Sequence, residues 1–386
     1  MTYPTITLKK GKDRAVLLRH PWLFSGAIEK ADKAQEGDIV QIRNIEGKIL
    51  AHGHYAPQSS IRVKMFDFAP ENLQLNDDYW RAKLQAAWTL RKQVIDRQHT
   101  TGFRLIHAEG DDLPGIVADI YGDVASMQLR TAGMERLSPV LCDFLETEIG
   151  CKHIFLKKEE KEDGIWLKGD KARTEFLENG LRFTVDVVQG QKTGFFLDQR
   201  NNRAMVGNYA KSKTVLNAFA YTGGFSAYAL AGGAKSVVSL DISKSAVEMS
   251  DQNVKLNFPE TQAHLPVAED CFRYLKEMEK DVFDCIILDP PAFSKSLATV
   301  KNAARGYKEI NLKALQKIQS DGLLFTFSCS QHISTDLFQK IIFGAAADAH
   351  REVKILAHLS QGADHPISIY HPEGDYLKGL MLWVGK

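Results

Sequence analysis

In the second half of the chain, apolar residues come in short continuous runs separated by helical patterns. Thr214–Phe219 precedes Phe225–Leu230, and Ser236–Asp241 precedes Lys244–Leu256. Phe283–Leu288 precedes a helix within Ala304–Gln319, and Leu323–Ser328 precedes Thr335–Ala349. Runs apolar throughout suit strands covered on both faces, and their alternation with helices predicts a doubly wound parallel α/β sheet. In such a sheet ligands sit at the carboxyl ends of the strands. The pattern begins near Gln191, so an α/β domain is expected over residues 191–386.

The first 70 residues have a different rhythm. Short strands are expected at Thr5–Leu8, Asp38–Arg43, Ile49–Tyr55 and Ile61–Phe66, with Gly37, Gly47 and Pro57 in the turns, which describes a small β-rich module. Asn76 to Arg97 then reads as one helix. Leu84, Trp88, Leu90, Val94 and Ile95 lie close to helical spacing, and Asp77 or Asp78 is available as its cap. Further strands are expected at Phe103–His107, Gly115–Tyr121, Val124–Leu129, Ile154–Lys157 and Leu181–Val187, with a helix around Glu135–Glu148 and a charged loop at Lys157–Gly164. Residues 71–190 therefore read as a central α+β domain.

Composition narrows the class without choosing a function. The 386 residues are 44% hydrophobic and 25% charged, as in ordinary globular proteins. No apolar run approaches the roughly 20 residues of a membrane span, and Met1 to Lys12 lacks a signal-peptide core. The five cysteines, Cys142, Cys151, Cys271, Cys285 and Cys329, are scattered and form no CxxC pair. A disulfide framework, a zinc site and a membrane anchor are thus not expected, and a reducing cytoplasm is. The net charge of +1 is uninformative, but Lys9, Lys10, Lys12, Arg14 and Arg19 crowd together with only Asp13 opposing. That cluster suits either a polyanion or a solvated face.

Candidate chemistry lies at the ends of the apolar runs. After the first comes Phe219-Ala220-Tyr221-Thr222-Gly223-Gly224-Phe225-Ser226. A glycine pair between strand and helix admits a close backbone approach. It forms neither GxGxxG nor a P-loop, so a nucleoside without phosphates, S-adenosylmethionine, is the ligand it suits. Asp241, 17 residues after Gly224, is placed to bind ribose hydroxyls, and Asp270 is placed near the adenine amino group. The competing reading for either acid is a helix cap.

The next two strand ends carry the acceptor chemistry. Asp289-Pro290-Pro291-Ala292-Phe293 is rigid, because each proline fixes its own φ and restrains the residue before it. It can hold a carboxylate beside a flat base, with Phe293 available to stack. Cys329 ends the following strand between Ser328 and Ser330. A cysteine is by default a small buried hydrophobe, but this position favours a nucleophile. Cytosine carbon 5 is a poor nucleophile, and thiolate addition at carbon 6 activates it. No residue is identified as the base that removes the carbon-5 proton.

Over nearly its whole length the chain resembles the bacterial 23S ribosomal RNA large-subunit methyltransferase I family, which forms 5-methylcytidine. Arg19-His20-Pro21-Trp22-Leu23-Phe24-Ser25-Gly26-Ala27-Ile28 is similar to its N-terminal PUA domain, and Gln191-Lys192-Thr193-Gly194-Phe195-Phe196-Leu197-Asp198-Gln199-Arg200 to its entry into the catalytic domain. The Phe219–Ser226 and Leu288–Lys295 segments are similar to its cofactor and catalytic motifs. The resemblance implies a class I Rossmann-like methyltransferase domain behind a PUA-like RNA-binding domain. It also implies S-adenosyl-L-methionine as cofactor and 23S ribosomal RNA as partner. Phe195, Asp198 and Arg200 then lie at the cofactor site, with Asn217, Phe219, Tyr221, Gly223, Asp241, Ile242, Ser243, Asp270, Cys271, Asp289 and Pro290. Cys329 and Asp289 are the catalytic pair, and Phe293, Lys9, Lys10, Arg14 and Arg19 contact RNA. Many related cytosine-5 enzymes carry a second cysteine in the Asp-Pro-Pro segment, where this chain has Ala292 and Phe293.

Three functions compete: methylation of cytosine carbon 5 in RNA through Cys329, methylation of a guanine nitrogen with Cys329 merely structural, and a non-catalytic RNA-binding or assembly role. A small-molecule methyltransferase has no use for residues 1–70. A homodimer is left open.

Overall fold

Alternation in the first 68 residues resolves into a six-stranded sheet. A computed structural model of the chain describes residues 3–68, 74–158, 164–294 and 296–386. The boundary expected between residues 70 and 71, the tip of the loop expected at Lys157–Gly164, and Lys295 lie outside the described residues. Four of the six strands are those that the pattern marked. The other two, Trp22–Phe24 and Ile28–Asp32, form the two edges of the sheet. An edge strand needs little apolar alternation: the first has three residues, and Glu29, Lys30 and Ala31 of the second are exposed. Ile6, Leu8, Val40, Ile42, Val63 and Met65 fill the core.

The central helix spans Asp77–Val94, and its cap is Asn76, whose Oδ1 accepts the Tyr79 N–H at 3.1 Å. Asp77 and Asp78 sit instead in the first turn, where negative charge complements the helix dipole. Its buried face is Trp80, Leu84, Ala87, Trp88 and Arg91, whereas Val94 is exposed. The apolar stripe read from sequence is therefore displaced, because a guanidinium with enough acceptors takes a core position. This helix packs on a five-stranded sheet ordered Ile165–Lys168, His153–Leu156, Val124–Leu129, Ile116–Tyr121, Gly102–His107.

His54 contributes to the pH dependence of this region, with His52 and His107 shifted in the same direction by burial. Its ring is buried, stacks on Trp80 at 5.8 Å between centroids and packs on Phe66 at 5.0 Å. Burial, aided by the Arg136 charge, pushes its pKa down to about 4. The unfolded chain, with an ordinary value near 6.5, then binds the proton more tightly than the folded chain. The contribution is present above pH ~6.5 and is lost as the pH falls towards about 4, by up to ~3 kcal/mol. Urea midpoints measured between pH 7 and 4 are expected to fall, and a His54→Leu variant is expected to flatten that slope.

By internal contacts the chain divides into two units. The first holds Met1–Asn179, Val185–Phe195 and Ala363–Gly374, and the second Gly180–Thr184, Phe196–Gly362 and Asp375–Lys386. Residues 363–374, late in sequence, are tied into the first unit. Asp364 Oδ2 accepts the Arg104 N–H at 2.9 Å, and the His365 ring lies 5.1 Å from that of His107.

The second unit is a seven-stranded sheet. Its strands are β1 (Thr214–Ala218), β2 (Ser236–Asp241), β3 (His264–Ala268), β4 (Cys285–Leu288), β5 (Gly322–Ser328), β6 (Val353–Leu359) and β7 (Lys378–Val384). The spatial order is β3-β2-β1-β4-β5-β7-β6. β1 to β5 are mutually parallel, while β7 runs antiparallel to both β5 and β6. Helices α1 (Gly224–Ala231), α2 (Lys244–Asn257), α3 (Cys271–Glu277), α4 (Val300–Lys317) and α5 (Thr335–Ala349) follow β1 to β5 in turn. The order reverses at β1, so the carboxyl ends of β1 and β4 flank the switch point.

Candidate active site

The loop after β1 is wound tightly. Phe219 and Tyr221 both take positive φ, 61° and 45°, a sparsely populated region for residues with side chains. The end of β2 holds this conformation: the Ala220 N–H donates to Leu240 O and the Tyr221 N–H to Asp241 Oδ2, each at 2.9 Å. Gly223 follows at φ 78° and opens α1. A Cβ there would lie 2.6 Å from Ser250 Oγ and 2.9 Å from Ser250 Cβ. The close approach that this glycine permits is therefore to α2 as well as along the loop.

Several expected cofactor residues have structural duties. Asn217 is fully buried, and its Nδ2 donates to Ser226 Oγ at 2.9 Å. Ser226 Oγ pairs with Ser239 Oγ at 2.6 Å, which pairs with His264 Nε2 at 2.7 Å. The Asn217 side chain is thus turned into a buried chain of hydroxyls. The Ser243 hydroxyl caps α2 through the Ala246 N–H, and Asp270 Oδ1 caps α3 through the Arg273 N–H at 2.8 Å. Cys271 is buried beside Leu240 O. Phe195 is in the first unit, its ring 5.1 Å from Phe176 and its N–H donating to Tyr121 Oη at 3.1 Å.

Asp241 is held in place at the end of β2. Oδ1 accepts the Ser243 N–H at 2.9 Å while Oδ2 holds the Tyr221 N–H, so its orientation is fixed from both sides. The neighbouring Ile242 is 70% exposed, an apolar surface suited to a flat ring. Asp198 is buried, and its Oδ2 accepts the Tyr376 hydroxyl at 2.6 Å. Arg200, also buried, opens the helix Arg200–Tyr209.

Asp289 and Cys329 come together because β4 and β5 are adjacent parallel strands, with Leu288 opposite Thr326. Asp289 Oδ1 accepts Gln199 Nε2 at 2.9 Å; Gln199 Oε1 in turn accepts Asn202 Nδ2 at 2.6 Å, and Asn202 also donates to Ser360 O. This chain aims the carboxylate. Cys329, half-buried, has its thiol 3.9 Å from Pro290 O. Ser330 joins three elements: its Oγ accepts the Ser294 N–H at 3.3 Å and pairs with Tyr307 Oη of α4 at 2.9 Å. Phe293, expected to stack on a base, has its ring centroid 4.6 Å from that of Tyr307 and 5.8 Å from that of Phe272. Burial pushes the thiols of Cys151, Cys271 and Cys285 up to about 12, and raises that of Cys142.

Gln199 contacts Asp289, Tyr376 contacts Asp198, Ser330 follows Cys329, and Lys378 bonds the Ser330 carbonyl, though none was named as a site residue from the sequence. Gln199 lay inside the Gln191–Arg200 segment, a signal that was available. Tyr376 and Lys378 carry no local motif; the antiparallel return of β7 beside β5 brings them in. Lys9, Lys10, Arg14 and Arg19 are exposed on the first unit, with the Arg19 guanidinium 5.8 Å from the Phe68 ring centroid and 5.6 Å from that of Tyr370.

The donor set fits S-adenosylmethionine. Asp241 offers acceptors for hydroxyls, Ile242 an apolar face, and the glycine-containing loop has no basic side chain for phosphates. Among the described residues no group of three or more His, Cys, Asp or Glu is arranged to hold a metal ion, and no helix is long and apolar enough to cross a membrane. Residues 143–351 match a family model described as S-adenosylmethionine-dependent methyltransferase, and residues 6–68 one described as a PUA-like domain. An S-adenosylmethionine-dependent methyltransferase of Streptococcus mutans and a methyltransferase solved with SAH share the fold. Each has a TM-score of 0.85 at 23% identity, covering 99% of this chain and 100% of its own.

Fold and site define a class I S-adenosylmethionine-dependent methyltransferase with an N-terminal PUA-like domain. The chain is 41% identical to ribosomal RNA large subunit methyltransferase I of Tolumonas auensis and 40% identical to that of Aeromonas salmonicida, covering 98% of each chain in both cases. It belongs to the ribosomal RNA large subunit methyltransferase I family.

Proposed function

We propose that this methyltransferase modifies carbon 5 of a cytosine in large-subunit ribosomal RNA through a covalent bond to Cys329. The observation that carries the reading is the position of that thiol. It is half-buried at the end of β5, 3.9 Å from Pro290 O in the segment that carries Asp289. The printed names of the relatives support ribosomal RNA as substrate.

S-adenosylmethionine, when bound, supplies an electrophilic methyl group. Asp241 and Ile242 are suited to its nucleoside, and Asp198 and Arg200 to its amino-acid end. The protein's own part begins with addition of the Cys329 thiolate to carbon 6, which makes carbon 5 nucleophilic. Asp289, aimed by Gln199, hydrogen-bonds the pyrimidine as the adduct forms. After methylation a base takes the carbon-5 proton, the carbon 5–carbon 6 double bond re-forms, and the carbon–sulfur bond breaks. The three-part division is proposed with these roles: residues 1–70 grip folded RNA through phosphate and shape contacts, including Lys9, Lys10, Arg14 and Arg19. Residues 71–190 link them to the catalytic residues 191–386, and the target base is unstacked into the site.

Ribosomal RNA substituted with 5-fluorocytidine tests the reading, because fluorine at carbon 5 cannot leave as a proton. A protein–RNA complex surviving denaturing electrophoresis is expected. No such complex, together with a methyl group mapped by mass spectrometry to a guanine nitrogen, would overturn the cytosine assignment.

A further inference from the structure

Lys378 is the first residue of β7, and the strand register sets it opposite Ser328, the residue before Cys329. Its Nζ donates to the carbonyl of Ser330, the residue after Cys329, at 2.9 Å. The side chain is buried, with 4% exposed. Among the described residues no carboxylate makes an ion pair with it, and Ser330 O is its one hydrogen-bond acceptor, leaving two of three donors unused. Burying an ammonium without a counter-charge is costly, and a methionine would fill similar space without that cost. The charges acting on Lys378 are those of Asp375, in the segment before β7, and Cys329. Tyr307 of α4, bonded to Ser330 Oγ, and Asp289, in the segment whose Pro290 carbonyl touches the thiol, are further titratable groups beside it. Burial lowers the pKa of Lys378, and both nearby charges oppose that shift.

We infer that Lys378 is a positioning residue whose ammonium, anchored on the Ser330 carbonyl, stabilises the Cys329 thiolate one residue away. This inference rests on the covalent reading of Cys329. In the step the S–H bond breaks, its electron pair stays on sulfur, and the proton passes to solvent water at the half-buried thiol. The thiolate then adds to carbon 6. When the carbon–sulfur bond later breaks, sulfur recovers its electron pair beside the same ammonium, so the pair is ready for another turnover. The base that takes the carbon-5 proton is a separate group.

The test is the pH profile of Cys329 alkylation by iodoacetamide, followed by peptide mass spectrometry on the full chain without RNA. Cys142 serves as the internal reference. In the wild type the midpoint is expected at least one pH unit below the ordinary cysteine value of about 8.5. Lys378→Met is expected to raise it, slowing alkylation about tenfold at pH 7, and Lys378→Arg, which keeps the charge, to restore it. Calorimetric binding of S-adenosylmethionine establishes that each variant is folded. A wild-type midpoint at or above the ordinary value overturns the inference whether or not the variants fold, as does an unchanged midpoint in Lys378→Met. Because no RNA is used, the result is independent of 5-fluorocytidine trapping. A normal midpoint with trapping intact removes Lys378 and leaves the covalent mechanism standing. A low midpoint without trapping does the reverse.

Discussion

Replacement of Cys329 by alanine is expected to lower methyl transfer by at least about a thousandfold while leaving S-adenosylmethionine binding within a factor of about three. The asymmetry follows from the geometry. The thiol lies at the end of β5 and touches the Pro290 carbonyl at 3.9 Å, whereas the groups suited to the cofactor lie at the ends of β1 and β2. Losing one sulfur atom from a half-buried position does not disturb them. The strand end is held without the thiol, through Ser330 Oγ to Tyr307 and the Ser294 N–H. Single-turnover methylation with calorimetric cofactor titration separates the two effects. An alanine variant with wild-type turnover would remove the covalent step and leave Cys329 a packing residue.

Arg91→Met is expected to destabilise the first unit by about 3–5 kcal/mol, the usual consequence of leaving a buried charge without its partner. The Arg91 side chain is fully buried, and Asp111 is 3% exposed. Its guanidinium grips both oxygens of Asp111, with Nη2 to Oδ2 at 2.7 Å, and donates to Arg104 O at 2.8 Å and Asp364 O at 2.9 Å. Asp111 also accepts the His107 N–H at 2.6 Å. Methionine strands that carboxylate and releases residues 363–374 from the helix. Adding Asp111→Asn neutralises the stranded charge while keeping an acceptor for His107, and is expected to recover about 1–2 kcal/mol. Tryptophan fluorescence during urea unfolding reports on this directly, because Trp80 and Trp88 lie in the same core. A loss below about 1 kcal/mol in the single variant would show that water replaces the missing partner.

The placement of the candidate residues was legible in the sequence. Gly223, Asp241, Asp289 and Cys329 each stand at the carboxyl end of an apolar run, and a parallel sheet gathers such ends along one rim. Local chemistry was less legible. Ser243 and Asp270 look the same in sequence as helix caps or as ligand contacts, and the backbone N–H groups that they accept make them caps. Asn217 looked like a rim residue, but its place in β1 turns its side chain towards Ser226 and the buried hydroxyl chain. Arg91 fell outside the apolar stripe because its acceptors come from residues 13 to 273 positions away.

The order of residues along the chain was sufficient for the alternation of strand and helix, the glycine-containing loop after β1 and the cysteine at the end of β5. These depend on spacing within a few residues, which side-chain pattern and backbone preference dictate locally. The partners of those groups were not readable in this way. Gln199 beside Asp289, Tyr376 beside Asp198 and Lys378 beside the Cys329 strand end meet across gaps of 90, 178 and 48 residues. Such pairs exist because β7 returns antiparallel against β5 and because the residue before the Arg200–Tyr209 helix reaches the end of β4. No local pattern encodes that packing, since it is chosen by the burial of the whole sheet.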